Sequence, residues 1–299
     1  MIIRSIRELL ADPIGAMGLM LIALMFLMAL CAPFLPMHDP LALSIENRLR
    51  PPSSDFWMGT DQVGRDILSR VVWGARASLA IGLGAVVIGL LLGVTVGLLA
   101  GYRSGTWLDE ILMKLMEILA AIPLLIWVIA IVGITGTATM HFGVIPFTNE
   151  FKLVILIGVL YAPGLARLTY SLAQVESHAE YVFARKLQGA STFQIILTDV
   201  MPNVISPVVI QATLLFGVTI VLEASLSFIG LGVQPPTPSW GAMLSDARAL
   251  IFSDAWWVSF FPGMAVFISV LGFNLFGDSL RTLLDPRRKS HVVSTGAPL

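Results

Sequence analysis

"EYVFARKLQGASTFQIILTDVMPN" (residues 180–203) is a polar segment set between long apolar runs. Just before it, Ser177-His-Ala-Glu180 reads as a capping box, with serine at the N-cap and glutamate at N3. That pattern predicts a helix opening there and running through Leu187. Gly189 stands where a left-handed residue would end it. Ser191-Thr-Phe-Gln194 is a second capping box and predicts another short helix carrying "QIILTDVM". Pro202 is expected to prevent its simple continuation. The segment therefore reads as two short helices joined by a tight glycine turn. In the first, Tyr181, Ala184, Arg185 and Gln188 share one side by helical spacing. The small Ala184 permits close approach of another backbone or ring. A helix of about eleven residues is marginal alone in water. It must lean on something, either lipid headgroups or a partner's groove.

The rest of the chain decides the fold class. It has 299 residues, 57% hydrophobic and 12% charged, with mean hydropathy +0.87. Soluble domains carry about 25% charged residues. The deficit places most of the chain in lipid. The net charge of −1 gives no sign of nucleic-acid binding. The single Cys31 excludes a disulfide framework and reads as a small buried apolar side chain; Leu30 before it argues against a lipoprotein cleavage site. After Arg4 and Arg7, the apolar run from Ile14 to about Pro36 exceeds a signal-peptide core and reads as a retained anchor.

Six apolar spans are expected, at about 14–36, 77–101, 112–134, 153–172, 204–227 and 256–278. The fourth contains Pro163, and the third carries Lys114 and Glu117 in its first turns, within snorkelling reach of the interface. An even number puts both termini on one side. With the N-terminus inside, the inner segments hold Arg4, Arg7, Arg103, Lys114, Arg167, Arg185, Lys186, Arg281, Arg287, Arg288 and Lys289. The outer ones hold Arg48, Arg50, Arg65, Arg70, Arg76, Lys152 and Arg248. The bias favours N-in and C-in, against an arginine-rich first outer loop partly balanced by Asp55, Asp61 and Asp66. Residues 180–203 then lie in the cytoplasm between spans four and five. Stretches 37–76, 135–152 and 228–255 face outward.

Several chemistries are absent from the pattern. None of Lys114, Lys152, Lys186 and Lys289 follows a glycine, so no G-x-x-x-x-G-K-[ST] phosphate loop exists. No H-E-x-x-H or G-x-S-x-G occurs, and the histidines are single. No catalytic or metal-ligating residue is expected, and the chain does not read as an enzyme. Glu223 falls near the outer end of span five and is expected, like Glu117 and Asp278, to anchor a span at the interface.

Residues 180–209, "EYVFARKLQGASTFQIILTDVMPNVISPVV", resemble the cytoplasmic coupling segment, or EAA loop, of ABC-importer permeases. "GTDQVGRDILSRVVWGARASL" (59–79), "EASLSFIGLGVQPPTPSWGAML" (223–244), "FNLFGDSLRTLLDPR" (273–287) and the run before the first loop are similar to the C-type subunit of dipeptide/oligopeptide permeases. The resemblance covers about residues 10–288. It departs at one point: the triplet's glutamate commonly lies six residues before the glycine, where this chain has Phe183, followed by Ala184 and Arg185.

The resemblance implies an all-α type I ABC-importer permease in a bacterial inner membrane. Its organisation would be a 1–75 segment with the first span and outer loop, a 76–282 type-1 transmembrane domain with a coupling loop at 173–203, and a 283–299 cytoplasmic tail. It further implies a second, homologous permease subunit, two ATP-binding subunits that hold the ATP and Mg, an extracytoplasmic binding protein and a peptide substrate. Contact with the ATPase falls to Glu180, Tyr181, Phe183, Ala184, Arg185, Gln188, Gly189, Ser191 and Pro202. An outer loop or gate falls to Asp61, Arg65, Asp66 and Glu223. Glutathione, nickel chelates and opines remain alternative substrates for such a subunit. A stand-alone channel or secondary transporter, with the polar helix lying at the interface, remains the contrasting reading.

Overall fold

The computed structural model describes residues 12–142, 145–250 and 253–284. The arginines at 4 and 7 and the basic tail at 285–299 lie outside the described residues. Helix α1 (Pro13–Cys31) opens on Asp12, whose carboxylate accepts from the Gly15 amide at 3.2 Å. Helix α2 (Ile67–Tyr102) follows a long loop. Two shorter helices, α3 (Trp107–Ala121) and α4 (Leu124–Thr135), precede a small hairpin, β1 (Met140–Phe142) and β2 (Ile145–Phe147). Then come α5 (Asn149–Ser177), α6 (Glu180–Leu187) and α7 (Thr192–Phe228). Helices α8 (Trp240–Ala247) and α9 (Trp257–Leu284) complete the chain. Among the described residues, five helices are long and apolar enough to cross a membrane, or six if α3 and α4 form one span.

Four departures from the sequence reading have physical causes. The third span is not one rod: α3 and α4 meet at 80°. Ile122 precedes Pro123 and is held extended (φ −102°, ψ 131°), out of the helical region. The Trp127 indole donates across the break to the Leu119 carbonyl at 3.2 Å. The second span begins at Ile67 rather than near 77, because Asp66 caps it by accepting from the Ser69 amide at 3.1 Å. At 1.5 Å per residue the helix is about 54 Å long, well beyond an apolar core of about 30 Å. Lys152, counted as an outer charge, is buried, and its Nζ donates to the Gly136 and Ala138 carbonyls at 3.0 and 2.8 Å. Cys31 is exposed, not buried, because α1 packs along one face only.

Helices α2 and α5 form the tightest seam. Gly89, Gly93, Gly97 and Gly101 recur every four residues and line one stripe of α2. A Cβ on Gly97 would lie 2.5 Å from the Thr169 Cβ and 2.6 Å from the Ala166 carbonyl oxygen. One on Gly93 would lie 2.6 Å from the Leu165 Cβ. From the facing helix, a Cβ on Gly158 would lie 2.8 Å from the Ala85 carbonyl oxygen. Association of helices in lipid rests on such close packing of small residues. Pro163 stays inside α5 without ending it, buried beside this seam. On the other side, α9 packs on α7 through the stacked Phe216 and Phe273 rings, 4.0 Å apart, and on α1 through Gly18 and Gly272.

The seam makes a direct prediction. Gly97→Val forces side-chain atoms into backbone and is expected to cost at least ~1–3 kcal/mol. Gly164→Val, on the same pair of helices but facing open space, is expected to cost under 1 kcal/mol. Thermal unfolding of the two variants in detergent checks the difference.

Candidate coupling segment and outer charge cluster

The polar segment folds as helix, glycine turn, helix. Gly189 is left-handed at φ 79°. Its amide donates to the Lys186 carbonyl at 3.1 Å and the Ala190 amide to Arg185 at 3.2 Å. That pair of bonds is the Schellman closure of α6. Ser191 caps α7 as expected, its hydroxyl accepting from the Gln194 amide at 3.3 Å.

Two expectations fail. Ser177 does not cap α6. The preceding helix runs on to Ser177, whose hydroxyl donates to the Gln174 carbonyl at 2.9 Å, and Ala179 takes the N-cap without a side-chain bond. Pro202 does not end the second helix either. A π-helical stretch at Ile195–Val200 shifts the hydrogen-bond register, and Pro202 sits at the first turn of the α-helical stretch that follows, where no amide is needed. The Asp199 carbonyl there accepts from the Asn203 side-chain amide at 3.2 Å.

The α6 helix is strapped to the ends of three spans. Val182 is fully buried with Leu98, Ala173, Ile195 and Val200, a burial worth about 1.5–3 kcal/mol. Arg185 pairs with Asp199 of α7 at 3.2 Å and reaches Gln188 at 3.4 Å. The Tyr181 hydroxyl donates to the Glu176 carboxylate of α5 and accepts from Asn203 at 3.0 Å. Partial burial, then the Glu176 carboxylate, pushes this phenol above its ordinary range, so it remains a donor at neutral pH. Lys186 lies 5.1 Å over the Tyr102 ring at the end of α2.

The side expected to be free is therefore split. Tyr181 and Arg185 turn toward the chain itself, while Ala184 and Gln188 stay exposed. The exposed stripe is instead Glu180, Phe183, Ala184 and Leu187, at helical spacing i, i+3, i+4, i+7. Phe183 is 64% and Leu187 76% exposed, and Phe193 beyond the turn is 72% exposed. A cavity of about 360 Å³ opens beside the stripe, lined by His178, Glu180, Phe183 and Lys186 among others.

At the other end, Asp61 and Arg65 come together, joined by two residues the sequence did not single out. Arg65 Nε donates to Asp61 Oδ2 at 2.6 Å and Nη2 to Asp246 Oδ2 at 3.1 Å. Buried Arg70 approaches the same two carboxylates at 3.7 Å. Asp66 stands apart as the cap of α2. Glu223 is not an interfacial anchor. It is fully buried, and its carboxylate accepts from Ser78 at 3.1 Å and Ser227 at 2.8 Å. The Trp240 amide donates in turn to Ser78, so this pocket ties α2 and α7 to α8. A buried carboxyl persists only with such partners. Arg70 and Asp246 lie too far apart in sequence for any local pattern to pair them, and so do Ser78 and Glu223.

Residues 93–290 match the family described as binding-protein-dependent transport system inner membrane component. The chain belongs to this family. It is 42% identical to the di/tripeptide transport system permease protein DppC of Pseudomonas aeruginosa (strain UCBPP-PA14), over 92% of this chain and 89% of that protein. It is 39% identical to the dipeptide transport system permease protein DppC of Alkalihalophilus pseudofirmus, over 96% and 90%. It is 38% identical to the glutathione transport system permease protein GsiD of Pectobacterium atrosepticum, over 96% and 90%. In fold it is similar to a chain of the MetNI methionine ABC transporter in its inward-facing conformations, with a TM-score of 0.56 at 19% identity, covering 72% of this chain and 97% of that one. The permease is thus a multi-pass membrane protein of a transport family, not an enzyme family.

The strapping of α6 separates strong from weak contacts. Val182→Asp places a charge in a fully buried apolar site and is expected to free the helix, raising the rate of tryptic cleavage after Arg185 or Lys186 at least tenfold. Asp199→Asn removes a half-exposed pair worth ~0.2–1 kcal/mol and is expected to raise it about fivefold at most. Limited proteolysis of the detergent-solubilised variants measures both.

Proposed function

We propose that this chain is a membrane-spanning permease subunit of an ATP-driven importer that carries di- or oligopeptides across the bacterial inner membrane. The observation that carries the reading is the exposed apolar stripe of α6, Phe183, Ala184 and Leu187, on a short helix braced against α2, α5 and α7. An exposed apolar patch outside the spans marks an interaction site. In this reading α6 is the segment that docks on an ATP-binding subunit. Two such subunits hold ATP and Mg, and this chain holds neither. A second, homologous permease completes the translocation path, and an extracytoplasmic binding protein delivers the substrate.

The geometry suits transmission of force. Closure of the ATPase pair displaces α6. Val182, the Arg185–Asp199 pair and the Tyr181–Glu176 bond pass that displacement to the inner ends of α5 and α7. Because α6 also touches Tyr102, the end of α2 moves with them. The spans then tilt as a group, and access alternates between the two sides. The phenyl ring of Phe183 takes the place of the glutamate common at this position and gives the contact with the ATPase an apolar centre. The peptide class follows from the relatives named above. Glutathione, itself a tripeptide, lies within the same class.

Ala184→Trp tests the docking. Ala184 is exposed, so the fold is expected to persist, while the bulky ring blocks close approach. The ATP-binding subunits are expected to be lost on co-purification, and peptide-stimulated ATP hydrolysis to fall at least tenfold. Retention of both at wild-type level would contradict the assignment.

A further inference from the structure

The outer loop between α1 and α2 carries a feature that the coupling reading leaves unused. A cavity of about 240 Å³ is lined by Met37, His38, Asp55, Trp57 and Asp66. Asp66 is almost wholly buried, and its Oδ1 has no hydrogen-bond partner. Its other oxygen serves the cap of α2 and lies 3.6 Å from the His38 imidazole. Capping therefore explains Asp66 but neither Asp55 nor Trp57. Asp55 is exposed and makes no ion pair among the described residues, and the Trp57 indole is 73% exposed. The same loop exposes Leu43 (70%) and Ile45 (88%).

This loop is not slack. The Leu49 amide donates to the Asp61 carbonyl at 3.0 Å, the Thr60 amide to the Arg50 carbonyl at 3.0 Å, and the Ser44 amide to the Val63 carbonyl at 3.1 Å. The Trp257 indole of α9 donates to the Thr60 carbonyl at 3.1 Å. Arg65 of the loop and Arg70 of α2 are held by Asp61 and Asp246, so the cavity itself is lined by two carboxylates, Asp55 and Asp66, against the single imidazole of His38. A preorganised surface loses little freedom on binding. Two carboxylates beside an exposed indole select a cation, by charge and by its attraction to the ring face. The exposed Leu43 and Ile45 on the same loop call for a partner with apolar surface of its own, which a short peptide does not supply.

We propose that this cavity receives a lysine or arginine side chain of the extracytoplasmic binding protein, between the Trp57 indole and the Asp55 carboxylate, with the buried charge of Asp66 behind them. The inference rests on the importer reading above and adds to it the residues that seat the delivering protein. Asp55 and Trp57 are both exposed, so their replacement leaves the fold intact.

The test uses the whole permease–ATPase complex in lipid nanodiscs and the complex's own binding protein, with the dissociation constant measured at several salt concentrations. Asp55→Arg is expected to weaken association about tenfold or more and to flatten its salt dependence; Trp57→Ala is expected to weaken it about tenfold. Basal ATP hydrolysis is expected to stay unchanged in both. Wild-type affinity and salt dependence in both variants would overturn the proposal. So would unchanged affinity with a raised KM for peptides bearing a free amino group but not for N-acetylated ones, since the cavity would then serve the peptide. If the unmodified complex neither bound its binding protein nor hydrolysed ATP in response to it, the importer reading itself would fall.

Discussion

The contact on which the structure most depends is the backbone-to-backbone approach of α2 and α5 along Gly89, Gly93, Gly97 and Gly101. Lipid supplies no hydrophobic force to press one apolar helix against another, so close packing must supply it. Four glycines at four-residue spacing let the α5 backbone and side chains press directly on the α2 backbone. That seam fixes α5, and α5 ends only two residues before α6. The short polar helix thus inherits its position from a contact deep in the membrane. Its own hold on the chain is modest: one buried valine, one partly exposed ion pair, two hydrogen bonds of the Tyr181 hydroxyl and the Lys186 ammonium over the Tyr102 ring. This asymmetry suits a coupling element. In the proposed role the helix must be attached firmly enough to move spans and weakly enough to reorient against them.

The two ends of the bundle use charge differently. At the polar segment, charges are half-exposed and paired singly. At the opposite end, Asp61, Arg65, Arg70 and Asp246 form a compact alternating cluster, and Glu223 sits fully buried among serines. Buried ion pairs seldom add net stability, because desolvation offsets attraction. They specify which segments meet, since a misplaced partner leaves an unpaired charge. Here they specify how the outer loop and α8 sit on the ends of α2 and α7. That arrangement works alongside an apolar cluster of Ile67, Val71, Trp240, Met243 and Trp257 at the same end.

Features set by local chemistry were legible in the sequence. Gly189 at φ 79° and Ser191 at its cap each depend on a few neighbouring residues, and both stand where the pattern put them. Five of the six apolar stretches stand as single long helices among the described residues, because lipid imposes a length. What failed were choices between two locally valid options. Ser177 could cap α6 or close α5, and the packing of α5 against α2 carried that helix far enough to decide it. Pro202 could stop a helix or sit in its first turn, and a π-helical stretch made room for the second. Pro123 broke a span that apolarity alone made continuous. The Glu223–Ser78 and Arg70–Asp246 contacts were hidden for another reason: their partners are set by tertiary geometry across well over a hundred residues. The glycine stripe on α2 was in the sequence throughout, and its spacing was the available signal for the seam.

In the proposed assembly the exposed face of α6 seats this chain on an ATP-binding subunit. Replacing Phe183 with a photo-crosslinking benzoylphenylalanine in the assembled complex, and identifying its product after illumination, tests that most directly. A covalent product with the ATP-binding subunit is expected, its yield changing between ATP-bound and nucleotide-free states. A product formed only with lipid, or only within the permease, would contradict it.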